Sequence, residues 1–153
     1  YSVYRLHFGD FAGLSVKLLY FILGIMLTVL CVSGMDIWLA KQGNPPRLSR
    51  VWGAMVWGTL AALALSAACS FVTDTSMVVS FWILLGVSIV AALFIAPLTA
   101  RRWQFISAIS CVVLILTHMA VWQGSAFTVN AVGINCLLAG FALWAGWRAV
   151  KQP

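Results

Sequence analysis

RLHFGDFAGLSVKLLYFILGIMLTVLCVSGMDIWLAK, residues 5–41, decides how this chain is read. It opens with a polar, glycine-broken lead-in that holds His7, one of two histidines in the sequence. An apolar run from Leu18 to Ala40 follows, and Asp36 is its single charge. A helix of about 20 apolar residues crosses the ~30 Å hydrocarbon core of a bilayer, so this run spans with some tilt to spare. A histidine therefore stands just outside a membrane span.

Working outward, the composition extends that reading to the whole chain. Of 153 residues, 63% are hydrophobic and 8% charged. Soluble domains carry roughly 25% charged residues, so a water-facing surface cannot be built from this sequence. An integral membrane protein of one transmembrane domain is expected, with the lipid bilayer as its main partner. The net charge of +6 does not indicate nucleic acid, because the basic residues fall in the gaps between apolar runs instead of on one polar face. The chain starts at Tyr1 without a signal-peptide pattern, and an upstream segment removed by processing or truncation is expected. Cys31, Cys69, Cys111 and Cys136 each sit inside an apolar run at no metal-like spacing, and read as small hydrophobes.

Taken in order, residues 1–16 form an interfacial segment, broken by Gly9 and Gly13. Five spans follow, at about 18–40, 51–72, 77–99, 103–122 and 127–147. The second is rich in Ala, Gly and Ser, which let helices approach closely in lipid. Residues 41–50, with Pro45-Pro46 and three basic side chains, read as a loop, and Thr73 to Ser76 as a tight polar turn. The fold class is all-α: a polytopic bundle of five transmembrane helices with an interfacial amino-terminal segment. Runs of ~20 residues are twice the length of barrel strands.

The charges orient it. One side of the membrane holds Lys41, Arg47, Arg50, Arg101, Arg102, Arg148 and Lys151, and the other only Arg5 and Lys17. Basic residues collect on the cytoplasmic side, so the amino end, His7 and the turns at 73–76 and 123–126 are expected outside, in the periplasm if the cell is bacterial.

His118 lies four residues before Trp122, about 6 Å inside the outer end of the fourth span at 1.5 Å per residue. Both imidazoles can thus occupy the outer leaflet. Two histidines from different elements can hold a haem iron axially, and helical bundles build such sites between facing helices. The chain has ligands for at most one bis-histidine haem. Equally, His7 can be a polar residue at headgroup level, and His118 can be satisfied by a neighbouring hydroxyl, amide or carbonyl. An ionisable residue inside a span is nonetheless a functional-site hypothesis by default. Asn130 and Asn135, toward the outer half of span five, read as interhelical hydrogen-bonding groups. Tyr1, Tyr4, Phe8, Phe11, Trp82 and Trp122 near the outer ends, and Trp38, Trp52, Trp103, Trp144 and Trp147 near the inner ends, read as aromatic belts. No nucleophile triad or phosphate loop occurs, and acids at 10, 36 and 74 are too scattered for a paired-carboxylate site or a proton relay.

The lead stretch also resembles the transmembrane signature of the PepSY-associated membrane family. The matching positions are Leu6, His7, Phe8, Gly9, Phe11 and Gly13, then Gly24, Ser33, Gly34, Trp38 and Leu39. The family includes iron-regulated inner-membrane proteins, among them ferric-siderophore reductases that use b-type haem. The resemblance implies an oxidoreductase of the bacterial inner membrane that binds haem b and passes electrons to ferric siderophore iron in the periplasm. It makes His7 the motif histidine and matches His118 to a histidine near the outer end of a later helix. Arg5 and Lys17, the basic residues on that side, would pair with haem propionates or an anionic siderophore, or else anchor to headgroups. Family members usually begin with a further helix and a periplasmic PepSY domain. Such a segment, or another subunit, is therefore an expected partner and a second source of a histidine. Asp36 stands where the family more often has an apolar residue. The alternative is a haem-free scaffold or partner subunit of an iron-uptake complex. A transporter is disfavoured, since no pair of Gly/Pro-interrupted spans occurs.

Overall fold

The computed structural model describes residues 13–95, 97–124 and 128–151, and among these every regular element is a helix. Five are long and apolar enough to cross a membrane: α1 (Gly13–Lys41), α2 (Pro46–Val72), α3 (Met77–Phe94), α4 (Ala100–Trp122) and α5 (Val129–Lys151). The polytopic helical bundle read from the sequence is therefore the observed fold class. The chain divides into two compact units, Tyr1–Asn44 and Pro45–Pro153.

The first unit contains α1, which begins at Gly13, earlier than the apolar run alone indicates. Two hydroxyls within it are satisfied by their own helix: Thr28 Oγ1 donates to the Gly24 carbonyl at 2.8 Å and Ser33 Oγ to Val29 at 2.7 Å. Its end is closed by Gly43 and Asn44, both at positive φ (75° and 53°). That turn lets the Asn44 N–H donate to the Leu39 carbonyl at 2.9 Å and Gly43 N–H to Ala40 at 3.1 Å, so the last carbonyls are not orphaned.

In the second unit α4 packs against both α5 and α2, and α2 packs in turn on α3. Here the structure corrects the span limits. The expected loop at 41–50 is only partly a loop, because α2 starts at Pro46. Proline at the first helical position sacrifices an N–H that has no intrahelical partner anyway. Span three stops at Phe94, short of residue 99, ahead of Pro97.

Small residues do the packing. Ala54, Ala61, Ala62, Ala64 and Ala68 on α2 are buried, as are Ser107, Ala108, Ser110 and Cys111 on α4 and Ala142, Ala145 and Ala149 on α5. Large apolar residues point outward: Phe94 is 82% exposed and Val129 89%. This is inverted relative to a water-soluble core and suits lipid, where helices associate by close backbone approach rather than by hiding apolar surface. Trp103 corrects one expectation, since it is not a belt residue but only 4% exposed, packed with Ala54 and Ala92. All four cysteines are free thiols, and only Cys111 is buried.

Residues Ala54–Gly58 of α2 form a π-helical turn. Ser107 of α4 reaches across to it, donating to the Trp57 carbonyl at 2.5 Å and lying 2.9 Å from the Trp103 carbonyl of its own helix. From the turn, the Trp57 ring packs on Phe141 and Trp144 of α5, with centroids 6.4 and 5.9 Å away. Ser107→Ala removes the cross-helix donor without adding volume. The expected loss is about 1 kcal/mol, read as a lower thermal midpoint in detergent.

Candidate functional site

The site grows from the short connection between α4 and α5. These two helices are neighbours running in opposite directions, so residues near the end of one meet residues near the start of the other. His118, one turn before Trp122, is thereby set against Asn135, in the second turn of α5. Its Nδ1 and the Asn135 Oδ1 are 3.1 Å apart. A carboxamide oxygen can only accept, so Nδ1 carries the hydrogen and the lone pair of the neutral ring resides on Nε2. Asn135, expected from the sequence as an interhelical hydrogen-bonding residue, is that, and its partner is the histidine.

α2 supplies the third wall. The Phe71 ring lies 5.8 Å from the His118 ring and 6.3 Å, edge-on, from Trp122. Phe71 was not singled out by the sequence, because a phenylalanine in an apolar span carries no distinguishing signal. Its position one residue before the outer end of α2, level with His118, is the only hint. Trp122, expected in the outer belt, is 51% exposed and also meets this cluster through its edge-on contact with Phe71.

Together these residues line a cavity of about 360 Å³. Ala67 and Phe71 come from α2, Leu114 and His118 from α4, and Ala131, Ile134, Asn135 and Leu138 from α5, with Thr128 and Asn130 beside them. A second chamber of about 240 Å³ shares Ala67, Leu114 and Leu138 with the first. Its other walls are Leu60, Leu63, Ala64, Cys111 and Phe141, so it is apolar throughout. The two spaces lie next to each other between α2, α4 and α5, the one at His118 partly polar and the other oily. Ligand sites of about 300–1,000 Å³ with a few convergent polar groups have this character.

The half-buried His118 is the one metal-ligating side chain of the first cavity, and none of its lining residues is cationic. No group of three or more His, Cys, Asp or Glu able to hold a metal ion occurs among the described residues. Lys17 lies in the first turns of α1. His7 and Arg5 lie outside the described residues, so the structure does not address the expected pairing of the two histidines.

Residues 1–41 match the family of the PepSY-associated TM region. The match takes in the LHFGDFAG segment with His7 and the whole of α1, and confirms the resemblance read from the sequence over that stretch. No curated protein and no solved structure matches the chain.

Proposed function

We propose, from a PepSY-associated TM region at one end of the chain and a histidine-lined slot in the helices behind it, a haem-bearing electron-transfer protein of the bacterial inner membrane. In this reading the slot would hold a b-type haem, with His118 Nε2 as an iron-ligating group. The observation that carries it is the His118–Asn135 hydrogen bond. Metal-ligating imidazoles almost always donate their other N–H to an oxygen, which fixes the tautomer, orients the ring and raises its basicity. Asn135 does this for His118.

The residues of the slot suit such a group on one side. His118 offers the imidazole, Phe71 an aromatic wall, and Leu114, Ile134 and Leu138 an apolar face that excludes water. With no cation in that lining, Arg5 and Lys17 are the proposed propionate partners. The chain's other histidine, His7, is the proposed second ligand. Two imidazoles, His118 and His7, would hold such a group, and the chemistry it would supply there is one-electron transfer. Oriented by the charge count, the His118 end faces the periplasm. There the proposed substrate is ferric iron in an oxygen-rich siderophore, which holds Fe(II) far less tightly than Fe(III).

One observation also favours a haem-free scaffold, in which the same hydrogen bond satisfies the imidazole and pins α4 to α5. A visible spectrum of the purified chain, oxidised and then dithionite-reduced, separates the two. A sharpened α-band on reduction supports the haem reading; a featureless spectrum after expression with ample haem supports the scaffold. Asn135→Leu is a finer test. Loss of this acceptor is expected to weaken haem retention about 10–100-fold, the usual cost of removing such a partner, while His118 remains present.

A further inference from the structure

At the opposite end of the Pro45–Pro153 unit, three helices meet in a corner. Gly53 of α2 is so close to Ala100, the first residue of α4, that a Cβ there would stand 3.1 Å from the Ala100 Cα. Arg50, one turn earlier, donates from Nε to the Ala92 carbonyl in the last turn of α3 at 3.2 Å. Into this corner the chain places Arg47 and Arg50 from α2 and Arg101 and Arg102 from α4. Arg50 is partly buried and the other three are exposed.

No acidic side chain lies near them among the described residues of this unit. Its single acidic residue, Asp74, follows the far end of α2, some 40 Å away along a 27-residue helix at 1.5 Å per residue. The two other cations at this end are engaged differently, Arg148 over the Trp144 ring at 5.5 Å and Lys151 over Trp147 at 4.4 Å. Near the arginines in sequence are three buried polar atoms without a hydrogen-bond partner among the described residues: Ser49 Oγ, Trp103 Nε1 and Gln104 Oε1. Trp103 and Gln104 are 4% and 2% exposed. Buried donors and acceptors are nearly always paired, so these three sealed atoms are exceptions within the packing of α2 and α4. Next to it the wall turns apolar, with Phe94 82% and Ile95 47% exposed.

We propose that this corner binds the headgroup of an anionic phospholipid. The arginines suit phosphate oxygens, and the exposed end of α3 suits an acyl chain. Guanidinium forks match phosphate geometry, and basic pockets between transmembrane helices are a recurring form of acidic-lipid site. The proximity of cations to an exposed oily wall favours a lipid over a free anion. The inference is independent of the haem reading.

The test uses the full chain in a neutral detergent, titrated with phosphatidylglycerol or phosphatidylcholine. Bound lipids are counted by native mass spectrometry, and the thermal midpoint is followed in parallel. Phosphatidylglycerol is expected to bind and to raise the midpoint, and phosphatidylcholine to do neither. The combined R47Q/R101Q/R102Q variant is expected to lose that response, while R148Q/K151Q keeps it. If the triple variant does not fold, the single substitutions serve, each expected to weaken phosphatidylglycerol binding about fivefold. Equal binding of the two lipids, an unchanged response in the arginine variants, or equal loss in R148Q/K151Q overturns the assignment. So does displacement of phosphatidylglycerol by millimolar inorganic phosphate, which would identify a free-anion site.

Discussion

If His118 holds the proposed haem, replacing it with alanine is expected to abolish haem retention while leaving the protein folded in the membrane. Two effects of very different size are superimposed in this variant. Removing the imidazole breaks one interhelical hydrogen bond, to Asn135. Such bonds between membrane helices are worth about 0.6 kcal/mol on average and under 2 at most. The bundle around them rests on Ala64, Ala108, Cys111, Ala142 and Ala145, which the substitution does not touch. In the haem reading, by contrast, the substitution takes away the one metal-ligating side chain of the cavity, and the low-spin spectrum expected there should vanish. Haem content per chain and the reduced α-band are the measurements, with the thermal midpoint as the structural control. Retained haem in the alanine variant would sink the assignment of His118. In the scaffold reading the order of effects is reversed: no spectrum exists to lose, and His118→Ala and Asn135→Leu lower the midpoint by similar small amounts.

How far the sequence reached can be judged at particular residues. The five spans were legible because lipid demands long uninterrupted apolar runs, a signal that survives almost any tertiary arrangement. Their ends were less so. Pro45-Pro46 read as a loop, yet Pro46 is a favourable first residue of α2, and the same side chain serves both roles. Trp103 shows what periodicity cannot supply in a membrane protein. A tryptophan near a span end fits a belt or a core equally well, and only the small residues Ala54 and Ala92 opposite it decide for the core. At the candidate site, His118 stood out as an ionisable group within a span, and Asn135 as a polar one on a neighbouring span. Their pairing follows from a short α4–α5 connection that brings the two levels together. Phe71 stayed invisible because an aromatic in an oily helix carries no cost that demands a reason. The other sequence-assigned residues divide: Lys17 lies on α1, whereas Arg5 and His7 lie outside the described residues.

Gly58→Leu is expected to be the most damaging single change in the helical unit. Gly58 ends the π-helical turn of α2, fully enclosed where that helix touches both α3 and α4. A Cβ at this position would stand 3.2 Å from the Ser88 Cβ on α3, 3.5 Å from the Ser88 hydroxyl and 3.7 Å from the Trp103 ring on α4. Alanine alone would require these neighbours to give by a few tenths of an ångström. The three further carbons of leucine have no direction to take, because Trp103 is itself held by Ala54 and Ala92. Overpacking of this kind costs about 1–3 kcal/mol in soluble cores, and more when backbones must part. In lipid the penalty is not softened by other burial, since exposing leucine to acyl chains gains nothing over exposing it to protein and close packing is the main attraction between helices. At about 2–4 °C per kcal/mol for a chain of this size, a fall in midpoint of roughly 10 °C is expected. Gly86→Ala on α3 is the matched control. Nothing lies within 4 Å of the Cβ it would add. Alanine is a better helix former than glycine by about 1 kcal/mol, so this variant should melt at or slightly above the parent temperature. A Gly58→Leu protein that melts with the parent would mean that α2 does not approach α3 and α4 as closely as the glycine allows, and the small-residue account of this bundle would fail with it.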